Sequence, residues 1–311
     1  MNHFTRLDCR NFKKALLKIP KHRSNKESRL SINELSKLSR GRPSISEKRV
    51  NMLLECISTF FKWAINNGYS ENNPIDSIRA IVPKRSTKQT RRPWNNYELS
   101  RLFSSPVYTG CLNERRRSVD GRLVIKDCLY WLPIVALYTG ARLEELCQLY
   151  SRDLKRSQGI YYLQIKETED ENGRLTQRLK NTSSQREVPV HRKLIELGFI
   201  DWAKNHEHDM LFKIDTIGPD QKWSSRFSRQ FGKYKRTIGI NDTGVVFHSF
   251  RHNVMDFYKQ NSADQTLVRQ LVGHIESSLS LGRYSEKYDL SKMSDFVNQL
   301  EYEPLNKIAL I

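Results

Sequence analysis

Apolar positions along this chain recur mostly at the three-to-four residue spacing of helices. Residues 8–18 place Phe12, Leu16 and Leu17 on one side before Pro20 stops the run. A short helical piece follows at Ile32–Leu38. A longer helix is capped by Ser44 or Ser46 and reaches about Asn67, with Val50, Leu53, Leu54, Ile57, Phe60, Phe61 and Ala64 as its stripe and Asn67-Gly68 as its stop. Asn73-Pro74 marks a turn, after which Ile75–Val82 continues to Pro83. Further on, a helix capped by Asn95 or Asn96 reaches Phe103, a strongly apolar one covers Ile125–Tyr138, and Thr139-Gly140 separates it from another at Arg142–Tyr150. One stretch departs from this rhythm. Ile160-Tyr161-Tyr162-Leu163-Gln164-Ile165, an acidic turn containing Gly173, and Glu187-Val188-Pro189-Val190 predict a small antiparallel sheet with Lys180 near a hairpin tip. Helices then return at about 192–205, 222–238, 248–260, 264–273, 276–284 and 290–300. The expected fold class is mainly α with a small antiparallel β-sheet.

Residues 83–93 are polar, basic and bounded by prolines, which predicts a linker between two domains. The expected division is a helical domain at 1–83, a linker at 84–93 and a second domain with a C-terminal tail at 94–311. Charge sharpens this picture. The net charge is +19, with 21 basic against 7 acidic residues in 1–95 and 32 against 27 in 96–311. Such an excess costs self-repulsion unless a polyanion offsets it, so nucleic acid is the expected partner and the front third its electrostatic clamp. Lys84, Arg85, Lys88, Arg91 and Arg92 in the linker are expected to follow a phosphate backbone. Charge alone does not separate DNA from RNA or a membrane surface. No apolar run approaches a bilayer span, and the first residues lack a signal-peptide core. Five scattered cysteines without a Cys-x-x-Cys pair predict reduced, buried thiols in a cytoplasmic protein.

Candidate chemistry gathers around Phe247-His248-Ser249-Phe250-Arg251-His252. On a helix, His248 and Arg251 stand at i and i+3 and project from one face, so an imidazole and a cation meet a common anion. Phe250, Val254 and Phe257 give that helix an anchoring face. Arg142 begins a helix after a glycine-containing turn, where amides and a guanidinium converge on phosphate. Singly, each residue has a plainer reading: Arg142 as a surface ion pair with Glu145, Lys180 as a solvated lysine, His274 as a helix-end contact, Tyr284 as a packed aromatic. Two metal readings fail on spacing. His206-Glu207-His208-Asp209 matches no standard site, and between His248 and His252 a serine stands where a zinc protease needs glutamate.

In order, Thr139-Gly140-Ala141-Arg142-Leu143-Glu144-Glu145-Leu146, Lys180 with Ser184-Gln185-Arg186-Glu187-Val188-Pro189-Val190, His248-Ser249-Phe250-Arg251-His252, Gly273-His274 and Tyr284 resemble the tyrosine recombinases of the phage-integrase family. Phe60-Phe61-Lys62-Trp63-Ala64 and Asn72-Asn73-Pro74 resemble that family's core-binding domain. The resemblance covers roughly residues 8–290. It implies a helical core-binding domain, a mixed α/β catalytic domain, and site-specific recombination or integration of double-stranded DNA through a covalent 3′-phosphotyrosyl intermediate. It further implies Arg142 and Arg251 as phosphate clamps, Lys180 as general acid, His248 as base or orienter, His274 as a ligand of a non-bridging oxygen, Tyr284 as nucleophile and Glu145 as a supporting carboxylate. Tyr288, four residues on, is the alternative nucleophile. No cofactor and no metal are expected, nor a membrane. The expected assembly is a monomer in solution and a tetramer on DNA, in the bacterial cytoplasm, with DNA-bending accessory proteins as candidate partners. Helices that usually precede residue 8 in the family are not visible, which reads as truncation or a short integrase. Residues 290–311 pack either on their own chain or on a neighbouring subunit. A type IB topoisomerase uses a similar residue set, and a non-catalytic DNA-binding protein of the same fold is the remaining alternative.

Overall fold

The computed structural model describes residues 4–38, 41–82, 91–179, 181, 184–205, 209–214, 217–218, 220–274 and 287–308. The chain divides into two compact units, Met1–Lys88 and Gln89–Ile311.

In the first unit, α1 (Arg6–Leu16) and α2 (Ile32–Lys37) each open on a capping box, Thr5 with Asp8 and Ser31 with Glu34, which satisfies amides that a helix start leaves unpaired. α3 (Glu47–Asn66) is capped by Ser46. It buries Val50, Leu54 and Phe61 in one cluster with Cys9, Leu16, Leu35 and Ile75. Phe60, expected on that stripe, lies outside at 46% exposure and stacks on Trp63, because adjacent residues sit about 100° apart around a helix. Asn51 pairs both the amide and the carbonyl of Ala80, fixing the non-helical return of the chain. The thiols do not all match the expected burial: Cys9, Cys111 and Cys147 are buried, Cys128 is half-buried and Cys56 is exposed.

The second unit begins with α4 (Asn96–Phe103), capped reciprocally by Asn95 and Glu98, and α5 (Pro106–Thr109). α6 (Cys128–Thr139) is apolar on every side and buries everything from Leu129 to Thr139, so it forms the central rod of the core. Gly140 ends it at φ 61°, and α7 (Leu143–Cys147) follows after two residues. The sheet has the order β1 (Leu154–Ser157), β2 (Ile160–Ile165), β5 (Arg186–Pro189), antiparallel throughout. β1 carries little apolar signal of its own and forms by pairing with β2. A separate hairpin, β3 (Thr168–Glu169) with β4 (Leu175–Gln177), turns over Asp170–Gly173. Lys180, expected near a hairpin tip, lies outside the described residues.

The helix expected at 192–205 is two, α8 (Arg192–Glu196) and α9 (Phe199–Asn205), because Gly198 adopts φ 82° between them. α10 (Ser224–Thr237), α11 (Ser249–Gln260), α12 (Gln265–Val272) and α13 (Leu290–Val297) complete the layer. The segment expected as a helix at 276–284 falls outside the described residues, as does most of His206-Glu207-His208-Asp209. No helix among the described residues is long and apolar enough to cross a membrane.

The tail docks on its own chain. Met293, Phe296, Val297, Leu300 and Leu305 are buried, the Tyr258 ring stacks on Phe296 at 4.0 Å, and the Tyr258 hydroxyl donates to the Phe296 carbonyl at 2.7 Å. Removing such a side chain forfeits its transfer energy and leaves a cavity. Phe296→Ala should therefore cost about 3–5 kcal/mol, with a melting temperature that does not depend on protein concentration. A concentration-dependent melt would reveal a tail exchanged between chains.

Candidate active site

α11 is placed by its apolar face. Phe250 stacks on Trp94 with ring centroids 4.9 Å apart and planes 3° from parallel, and Asn253 grips both the amide and the carbonyl of Trp94. That anchoring turns Arg251 inward, where only 2% of its surface is exposed. One terminal nitrogen, Nη1, donates to the Gly140 carbonyl at 2.7 Å and also to the Val272 carbonyl. The other, Nη2, is buried with no acceptor among the described residues. A buried cationic donor without an acceptor is costly, and it marks where an anion would be received.

α12 ends at Gly273, φ 66°, which exposes its last carbonyls. Three successive ones are each met by an arginine. Leu271 accepts from Arg186 Nε at 2.7 Å, Val272 accepts from Arg251, and Gly273 accepts from Arg142 Nη2 at 3.4 Å. Cations suit this end of a helix, where the backbone dipole is negative. Arg142 sits at the start of α7, its amide donating to Glu145 Oε2 at 2.9 Å and its guanidinium paired with Glu145 Oε1. Ser184, fully buried, stands within 3.4 Å of Arg142 Nη1. His248 precedes α11 and His274 follows Gly273, both exposed. Arg142 thus pairs with Glu145, and the charges of Arg142 and Arg251 act on both His248 and His274, so the five groups lie close together.

A profile of the phage integrase family matches residues 128–290, just over half of the chain. This chain belongs to the phage integrase family. The ICEBs1 integrase of Bacillus subtilis strain 168 is 20% identical over 269 residues, covering 83% of this chain and 66% of that protein, so the match spans just under two thirds of the relative's length. Among solved structures, the Tn1549 transposon integrase in complex with a circular intermediate DNA superposes with a TM-score of 0.56 at 16% identity, covering 96% of this chain and 87% of the other. The same integrase with transposon right end DNA gives 0.55 at 16% identity, covering 95% and 85%. These two structures share the fold.

Within this integrase fold, two expected site residues, Lys180 and Tyr284, lie outside the described residues, as do the linker cations Lys84, Arg85 and Lys88. Arg91 is exposed. Arg92 corrects the expectation made for it. Its guanidinium, expected to follow a phosphate backbone, is paired with Glu98 at 2.6 Å and Asp242 at 2.6 Å and so pins the chain at the start of α4. Tyr288 is also committed. Gln270 holds its amide and carbonyl, and its hydroxyl donates to Asp264 at 2.9 Å, an interaction that raises its pKa.

The residue that sequence reasoning passed over is Arg186. It had appeared only as part of a motif, yet it shares strand parity with Val188 and Val190, and the period of two places all three inward. A buried arginine demands a carboxylate, and Glu145 supplies it at 2.8 Å. Burial would raise the Glu145 pKa, but Arg186 and then Arg142 outweigh it and hold the carboxyl below its usual range. Arg251 is lowered to about 9 by burial, then by Arg142 and Arg186, and stays protonated at neutral pH. Among the described residues, no group of three or more His, Cys, Asp or Glu side chains is arranged to hold a metal ion.

Desolvation, followed by neighbouring cations, lowers His248 and His274 to about 4 each. For His248 those neighbours include His252, Arg251 and Arg142; for His274 they include Arg251 and Arg142. Because both rings remain exposed, the cationic surroundings are the more durable cause. Both folded-state values lie below the unfolded value of 6.5, so the unfolded chain binds more protons between these limits. The expected outcome is stability that is full above about pH 6.5 and declines as pH falls toward about 4. In urea melts across that range, His248→Gln should show a shallower decline than the parent; an identical slope would remove His248 from this account.

Proposed function

We propose that this integrase is a site-specific DNA recombinase that cleaves and rejoins strands through a 3′-phosphotyrosyl intermediate, with Tyr284 as nucleophile. The observation that carries the reading is the buried Nη2 of Arg251, without an acceptor among the described residues and close to Arg142, His248 and His274. Attack on a phosphodiester accumulates negative charge on two non-bridging oxygens, and preorganised guanidiniums stabilise it without reorganisation. Arg142 and Arg251 take those oxygens, and His274 adds a hydrogen bond to one. The Tyr284 oxygen forms a bond to phosphorus, its proton passing to His248, while the bond to the 5′-oxygen breaks and Lys180 protonates that leaving group. A 5′-hydroxyl from a second strand reverses the step. The phosphotyrosine conserves the bond energy, so the exchange as written consumes no nucleotide.

Tyr288 suits the nucleophile's part poorly. Its hydroxyl is bound at Asp264, which caps the start of α12, whereas His274 lies ten residues on, beyond the other end, about 15 Å away at the rise of a helix. In this reading the first unit and the exposed Arg91 grip double-stranded DNA, and four copies assemble on paired sites, with bending proteins as assistants, in the bacterial cytoplasm. The DNA complexes of the Tn1549 integrase support the choice of duplex DNA and of a mobile element as the setting.

The test is a nicked duplex carrying the recognition site, on which the cleaved strand is trapped covalently. Tyr284→Phe should abolish the covalent complex and Tyr288→Phe should retain it. Trapping by the Tyr284→Phe protein would overturn the assignment.

A further inference from the structure

Arg186 has no solvent-facing role. Its side chain is 2% exposed and all three nitrogens are engaged: Nε by the Leu271 carbonyl at 2.7 Å, Nη1 by the Ser184 carbonyl at 2.8 Å, and Nη2 by Glu145 Oε2 at 2.8 Å. It therefore ties together three separate pieces of chain: the strand that follows Lys180 in sequence, the helix that begins at Arg142, and the last turn before His274. Gly273 answers to the same constraint. A Cβ there would stand 2.7 Å from Arg186 Nη1, so a side chain at this position would push the guanidinium away from the Ser184 carbonyl that Nη1 holds.

Charge gives Arg186 a second role. Glu145 is the carboxylate shared by Arg142 and Arg186, one oxygen paired with each guanidinium. With Arg186 removed, a buried Glu145 would have Arg142 alone to compensate it, and the pair would approach neutrality toward an incoming phosphate. With Arg186 present, the three groups together carry +1, and Arg142 keeps its attraction for an anion.

We propose that Arg186 is a positioning residue, one that never touches DNA but holds Glu145 and the end of α12 so that Arg142 and His274 address the same phosphate. This rests on the recombinase reading above. It goes beyond that reading because it assigns a function to a buried arginine that the chemistry of strand cleavage does not itself call for.

The experiment compares Arg186→Lys and Arg186→Met with the parent in single-turnover cleavage of two nicked duplexes, one with an ordinary scissile phosphodiester and one with a neutral methylphosphonate there. Lysine keeps the charge and loses the three-way fork. A misdirected Arg142 matters less when the scissile group carries no charge to stabilise. The expected result is a folded Arg186→Lys protein that binds the duplex like the parent, cleaves the phosphodiester about 100-fold more slowly, and loses much less on the methylphosphonate. Arg186→Met should be more severe; if it does not fold, the lysine variant decides. A folded Arg186→Lys protein that cleaves like the parent, or that is slowed equally on both substrates, would overturn the proposal. A parent protein inert on both duplexes overturns the recombinase reading instead, and the proposal with it.

Discussion

Three guanidiniums share one helix terminus. The carbonyls of Leu271, Val272 and Gly273 have no partners within α12, and each receives a different arginine: Arg186, Arg251 and Arg142. Bringing like charges together is unfavourable, and two things make it tolerable here. The negative end of the helix dipole faces the cluster, and Glu145 lies between two of the three cations. With Glu145 counted against the three guanidiniums, a net charge of +2 remains at this helix end.

The rest of the second unit serves that arrangement. α6 is buried along its whole length so that its end, Gly140, can present a carbonyl to Arg251. A side chain at Gly140 would meet Val272 and Val254 at 3.1 and 3.3 Å, so the close approach of α6 to both later helices depends on its absence. α11 is locked by Trp94 and Asn253, which sets the direction in which Arg251 points.

Much of this was legible in the sequence because the chemistry restricts residue types. The motifs shared with the tyrosine recombinases singled out Arg142, His248, Arg251 and His274, which stand at the ends or on the faces of strongly patterned helices. Phe250 and Val254 announced the anchoring face of α11. What escaped reading was decided by tertiary pairing. β1 has one apolar residue among four and exists through β2. Gly198 broke a helix whose apolar spacing looked continuous. Arg92 looked like a free linker cation because Asp242, one of its two carboxylates, lies 150 residues away. Arg186 drew no reading of its own because sequence does not display burial, although its strand parity with Val188 pointed inward.

The Nη2 of Arg251, without an acceptor among the described residues, carries a consequence for the stability of the protein. A desolvated cationic donor left unsatisfied makes the isolated fold weaker than its packing alone would allow. Replacing that nitrogen with something inert would suit a protein whose task was merely to persist. The chain instead retains a local fault in its own interior, at the centre of its best-packed helices.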